Sequence, residues 1–124
     1  DVILVFKAYV TRVGGGPLEN EITVDEASKL GWVEYGSVTG RQRRASPFNM
    51  ELAKKSVTIN SATQIAVTKL DVVFPDCAAL KEYSKLTPQA KNFIQQIEDR
   101  LGVEVVLIGT GAEINDIIDR RTEN

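Results

Sequence analysis

The chain has 124 residues, 43% apolar and 26% charged, with a formal net charge of -2 and no histidine. That is enough for one ordinary globular domain with its own core, and the slightly acidic balance offers no whole-chain attraction to nucleic acid or anionic membrane. A single cysteine, Cys77, excludes an intrachain disulfide and, without histidine, argues against zinc and imidazole acid–base chemistry; a reducing, cytoplasmic setting is expected.

Val2 to Val10 starts as a nearly unbroken apolar run and is predicted to be a strand buried on both faces. It stops at Thr11-Arg12 and the loop Gly14 to Pro17, whose glycines fit either a ligand loop or a structural turn. Thr23-Val24-Asp25-Glu26 is a capping-box pattern opening a short helix closed by Gly31. Gly36 to Arg44 is a loop without apolar periodicity. Ser46-Pro47 offers an N-cap and a first-turn proline, predicting a helix through about Thr58. Gln64 to Thr68 is a short strand, Val72-Val73-Phe74 a second apolar run ended by Pro75, and Ala78 to Tyr83 a helical turn or two.

Thr87-Pro88 opens the clearest helix, with Phe93, Ile94, Ile97 and Leu101 on one face and Gly102 as its stop. Val103 to Ile108 reads as a second buried strand, far too short and too interrupted by Glu104 to span a bilayer. Gly109-Thr110-Gly111 is then predicted to turn into a last helix carrying Ile114, Ile117 and Ile118. The order of elements is that of an α/β fold with helices packed on strands. No repeat or linker divides it, so residues 1–124 are expected to form a single unit. No G-x-x-x-x-G-K-[ST] phosphate loop occurs, which points to a binding surface and away from a complete active site.

Three polar loops carry the candidate chemistry. In Gly36-Ser37-Val38-Thr39-Gly40-Arg41-Gln42-Arg43-Arg44, three arginines lie within four positions, and no acidic residue intervenes between Glu34 and Glu51. Guanidinium forks match carboxylate and phosphate bidentately. A small anion, a solvated basic turn and a nucleic-acid patch all remain open, although the loop lacks aromatics for base stacking. Thr68-Lys69-Leu70-Asp71 follows an apolar strand; a carboxylate there accepts the ring N–H and exocyclic amine of guanine, whereas most such triplets are surface charges. Gly109-Thr110-Gly111 permits close approach of a base or phosphate, and equally fits a plain turn that needs glycine.

Taken in order, these blocks resemble the adenylosuccinate synthetase family. Lys7 to Pro17 is similar to its K-A-Y-x-T-R-V-G-x-G-P block, Gly36 to Arg44 to its G-x-T-T-G-R-x-R-R loop, and Thr68 to Val72 to its T-K-L-D-V segment. Gly109-Thr110-Gly111 lies where the family has S-T-G. The short stretch from Val73 to Val103 is similar to the compact members. The departures are Val38, where a hydroxyl residue is usual, and Gly109, where serine is common.

The resemblance implies a ligase that joins IMP and L-aspartate into adenylosuccinate while hydrolysing GTP, with Mg²⁺, in AMP biosynthesis. It implies that Ser37, Thr39, Gly40, Arg41, Gln42 and Arg43 serve aspartate and IMP, with Arg41 and Arg43 as charge stabilisers. Arg43, Lys69, Leu70, Asp71, Gly109, Thr110 and Gly111 would serve GTP, and Val13 is a weaker carry-over near the nucleotide. The chain would be the C-terminal portion of a larger mixed, partly parallel sheet. Asp1 falls within the family's pattern, so the catalytic aspartate, the acid histidine, the phosphate loop and the Mg²⁺ ligands are expected in an absent N-terminal half. The family's habit implies a homodimer. The fragment alone is expected to be inactive, and the alternative is a non-catalytic guanine-nucleotide binding module.

Overall fold

Alternation in the first run is interrupted at Ala8, and the computed structural model, which describes residues 2–13, 15–36 and 40–121, places two strands there. β1 (Ile3–Lys7) enters a four-stranded sheet, whereas β2 (Tyr9–Arg12) leaves it to pair antiparallel with β3 (Arg44–Pro47). The larger sheet has the order β1, β4 (Gln64–Thr68), β5 (Glu104–Gly109), β6 (Ile117–Asp119). Its first three strands are parallel and β6 is antiparallel. This is a mixed α/β architecture with a mainly parallel sheet.

Burial of the first strand on both faces is not what the fold gives. Among the described residues β1 pairs with β4 alone, and Val5 is 61% exposed. Period-two geometry sends Leu4 and Phe6 to the core and leaves Ile3 and Val5 on the other face. β4, in the middle of the sheet, is the strand enclosed along its length.

The helices form as their caps dictate, with one displacement. α1 (Val24–Leu30) has the full Thr23/Glu26 capping box and ends on Gly31 in the left-handed region. α2 spans Met50–Asn60 and is capped by Asn49, whose side chain accepts from the Leu52 amide at 3.1 Å. Ser46 and Pro47 therefore do not open it; they lie in β3, with Ser46 buried opposite Val10. Pairing into a ribbon satisfied that backbone, and Asn49 is as good a cap three residues later. α4 (Pro88–Leu101) is capped by Thr87 and buries Ala90, Ile94, Ile97 and Leu101. Together α2 and α4 cover one face of the sheet around Ile65, Val67 and Val105. A second cluster, Tyr9, Ala27, Trp32 and Ala45, joins the β2–β3 ribbon to α1, with the Tyr9 and Trp32 rings stacked at 5.3 Å.

Two stretches, Ala78 to Tyr83 and the residues after Gly111, depart from their predicted helical state. Val72 and Val73 belong to a one-turn helix, α3 (Leu70–Val73), while most of Ala78 to Tyr83 is irregular between the 3₁₀ turns Pro75–Cys77 and Tyr83–Lys85. Ala79, at φ 60°, donates its amide to the Thr110 carbonyl at 2.8 Å, which ties this stretch to the end of β5. After Gly111 no helix forms. A turn over Glu113–Asp116 reverses the chain, and β6 runs back along β5. Ile118 is buried but Ile114 is 84% exposed, so the helical spacing of the isoleucines did not mark one apolar face. The open edge of β5 offered unpaired backbone groups, and strand pairing satisfied them.

Candidate functional site

Parallel strands bring their carboxyl ends to one edge, and three of the singled-out segments meet there. Lys7 is in register with Thr68, Val67 with Ile108, and the Ala8 amide donates to the Thr68 carbonyl at 2.9 Å. The turn after β4 is sharp because Lys69 adopts φ 60°. Gly109 lies against it: a β-carbon there would sit 3.3 Å from the Thr68 α-carbon. A cavity of about 450 Å³ opens beside this junction, walled by Thr68, Lys69, Gly109, Gly111 and Asp116 over a floor of Val5, Ala66 and Leu107.

The GTP candidates are placed unequally around this cavity. Lys69, Gly109 and Gly111 line it. Leu70 is wholly buried in the core, so only its backbone is available. Thr110 is also buried, its hydroxyl donating to the Leu80 carbonyl at 2.7 Å and its amide to the Asp116 carbonyl at 2.8 Å. Gly109 to Gly111 do not precede a helix, and the expected helix-start amides are therefore not the source of any anion affinity here. Asp71 sits in the first turn of α3, and its charge adds a minor share to the upward shift of the Tyr9 phenol, which comes first from burial and then from Glu34.

The arginine loop forms a second cavity, of about 480 Å³, lined by Arg12, Val13, Gly15, Arg41, Gln42, Arg43 and Arg44. Among the described residues, four guanidiniums and no carboxylate line it. Arg44 is neutralised by a bidentate pair with Glu21 at 2.9 and 2.6 Å, and Arg12 donates to the Pro17 carbonyl at 2.7 Å. Among the described residues, the buried Arg43 Nε and Gln42 Nε2 atoms find no hydrogen-bond partner. Buried donors without acceptors are costly, and an anionic oxygen is the partner that would relieve them. The loop's stem is a narrow hairpin: the Arg43 amide donates to the Glu34 carbonyl at 2.6 Å and the Gly36 amide to the Arg41 carbonyl at 2.8 Å. Ser37, Val38 and Thr39 lie outside the described residues, as does Gly14.

Between the two cavities stands Glu34, which sequence reasoning used only to mark the end of an acid-free stretch. Its carboxylate accepts from Lys7 Nζ at 3.2 Å and from the Tyr9 hydroxyl. It also pairs with Arg43 Nη1 at 3.5 Å and Lys69 Nζ at 3.6 Å. Burial pushes the Glu34 carboxyl up, but the Tyr9 and Lys7 hydrogen bonds and the charges of Lys7 and Lys69 outweigh it and hold the group below the usual carboxylate range. Burial, then the hydrogen bond to Glu34, pushes the Tyr9 phenol well above its ordinary value. Nothing local marks Glu34; only Lys7 and Tyr9, inside the K-A-Y block, hinted that this corner matters.

An arginine-lined cavity, joined through Glu34 to the carboxyl ends of a mainly parallel sheet, has the chemistry to take an anionic ligand. A family model described as adenylosuccinate synthetase matches residues 1–76, and the chain belongs to the adenylosuccinate synthetase family. Among curated relatives, it is 47% identical over 123 residues to the adenylosuccinate synthetase of Methanosphaera stadtmanae and 52% identical over 121 residues to that of Methanococcus maripaludis. The matches cover 99% and 98% of this chain but 36% of each relative, so the chain spans about a third of their length. Among solved structures, it is similar to a fully ligated adenylosuccinate synthetase from Plasmodium falciparum, with a TM-score of 0.78 at 24% identity over 93% of this chain and 38% of that one. At that identity the likeness speaks for the fold alone. The relatives are synthetases by name, which does not favour a stand-alone guanine-binding module. Among the described residues, no helix is long and apolar enough to cross a membrane.

Proposed function

We propose that the full-length protein carrying this chain forms adenylosuccinate from IMP and L-aspartate while hydrolysing GTP, and that these 124 residues are its substrate- and guanine-binding portion. The observation that carries this is an arginine-lined cavity linked through Glu34, which pairs with Arg43 and Lys69, to a second cavity at the Lys69–Gly109 junction. Arg41, Gln42 and Arg43 would hold the carboxylates of aspartate and the phosphate of IMP, with Ser37, Thr39 and Gly40 completing that loop. Fixed guanidiniums also favour the charge that develops during phosphoryl transfer to the purine oxygen. Guanidinium has no proton to give at neutral pH, so Arg41 and Arg43 act by charge and orientation.

On the guanine side, the Lys69 stem would pack along the base and Asp71 would accept from its two edge donors. Adenine cannot supply that pair, so the carboxylate selects guanine. The Leu70 backbone, Gly109, Gly111 and the backbone of Thr110 would complete the wall. We place Mg²⁺ and the proton-transfer groups on the N-terminal part, in a homodimeric, cytoplasmic enzyme.

Steady-state kinetics of the full-length protein test this. Arg43→Leu should raise the aspartate KM or lower kcat at least ten-fold, since a bidentate partner of a carboxylate is lost. Asp71→Asn should lower kcat/KM for GTP about 10- to 100-fold, because an amide presents a donor to guanine's donors. Unchanged constants in both variants would overturn the assignment.

A further inference from the structure

We infer that Glu34 is a positioning residue that holds the guanine-side lysine and the aspartate-side arginine in their working places at once. Its carboxylate touches both: Arg43 Nη1 at 3.5 Å and Lys69 Nζ at 3.6 Å. The first side chain belongs to the arginine cavity and the second to the cavity beside Gly109. Lys7 Nζ, at 3.2 Å from the same group, makes a third cation around one anion. Three like charges gathered this closely repel one another unless an anion sits between them. Glu34 is that anion, and its side chain is only 18% exposed, so water screens the arrangement less than it would a surface pair.

The contacts are graded in a way that fits positioning. The hydrogen bonds of Glu34 go to Lys7 and Tyr9, which sit at the end of β1 and in the buried aromatic cluster. These anchor the carboxylate to the rigid sheet. The contacts to Arg43 and Lys69 are ion pairs without a hydrogen bond, so both cations are oriented yet keep donors for a ligand. The Glu34 backbone repeats the restraint, because its carbonyl takes the Arg43 amide at 2.6 Å. Preorganised cations lose less rotamer freedom on binding an anion, which raises affinity without a direct contact. Glu34 itself repels an anionic ligand and therefore acts through its partners.

This inference rests on the substrate assignment above, and the test separates the two. The full-length protein is compared with Glu34→Gln, Lys69→Met and the double variant, by initial-rate measurements of GTP and aspartate KM. Glu34→Gln keeps the shape and removes the charge. It should raise both KM values about five-fold, with kcat changed less. In the Lys69→Met background it should no longer affect the GTP KM while still raising that for aspartate. A purely structural role would lower the melting temperature without this pairing of effects. If Glu34→Gln folds poorly, Glu34→Asp, which keeps the charge on a shorter arm, should show the same two increases at reduced size. A GTP KM that rises in Lys69→Met but not in either Glu34 variant would overturn the role of Glu34 alone. So would an equal Glu34→Gln effect on GTP with and without Lys69. A GTP KM untouched by Lys69→Met would remove the guanine assignment and this inference with it.

Discussion

Gly111 shows how one missing side chain shapes the candidate nucleotide cavity. A β-carbon there would sit 2.3 Å from Asp116 Oδ2, an oxygen that also receives the Glu113 amide at 3.2 Å. Gly111→Ala must push that carboxylate aside and open the turn that brings β6 back to β5. We expect weaker GTP binding, by about ten-fold, with a small change in melting temperature; calorimetric titration against thermal unfolding measures the two. Glu34 yields a pH prediction. Its folded pKa lies below the ordinary value of 4.5, so it stabilises the folded state above that pH. The contribution is lost as pH falls through the lowered folded value. The melting-temperature gap between wild type and Glu34→Gln should therefore be a few degrees at pH 7 and shrink as the pH is taken below 4.5. A gap that stays constant would mean that the glutamine removes packing and not charge.

At the scale of elements, a clamp around Glu98 joins α4 to the sheet. Glu98 accepts from the Val105 amide at 2.9 Å and pairs with Arg120 at 3.3 Å, while Arg120 stacks 4.2 Å from the Tyr83 ring. The end of α4, the start of β5 and the residue after β6 are thus held by one carboxylate. Removing it leaves a half-buried amide and a guanidinium without that acceptor. Glu98→Ala should cost about 2 kcal/mol, read as a lower urea midpoint at unchanged m-value. Much of this level was legible in the sequence. Caps at Thr23 and Thr87, stops at Gly31 and Gly102 and the runs that became β4 and β5 all depend on neighbours within a turn or strand. β3 and β6 were not legible, because each exists only where a distant strand offers an unpaired edge. Ser46 looks like a cap until Val10 arrives opposite it.

Across the whole molecule, two clusters share the stability. The larger lies between the helices and the sheet, and the smaller holds the β2–β3 ribbon and α1 around Trp32. Trp32 is 8% exposed and stacks on Tyr9, so its removal empties the smaller cluster. Trp32→Ala should cost about 3 to 5 kcal/mol. Hydrogen exchange should quicken in β2, β3 and α1 well before β4 and β5, since local opening follows the weakened cluster. Equal loss of protection across the sheet would show that the two clusters melt as one. Because Tyr9 belongs to this cluster and also anchors Glu34, the same variant should loosen the arginine hairpin.

By itself the sequence determined the α/β class, the main helices, the central strands and the family, through blocks whose residue types and spacing are local properties of the chain. The same blocks named Arg41, Arg43, Lys69 and Asp71 as the residues to examine. Only the tertiary structure decided that Leu70 and Thr110 are buried, that β1 lies at an edge, and that the last segment is a strand. It alone brought Glu34 between Lys7, Arg43 and Lys69. These residues are 27, 9 and 35 positions from Glu34. No periodicity or motif encodes such a meeting, which exists because parallel pairing of β1 with β4 sets their ends side by side and the Trp32 cluster holds the hairpin against them.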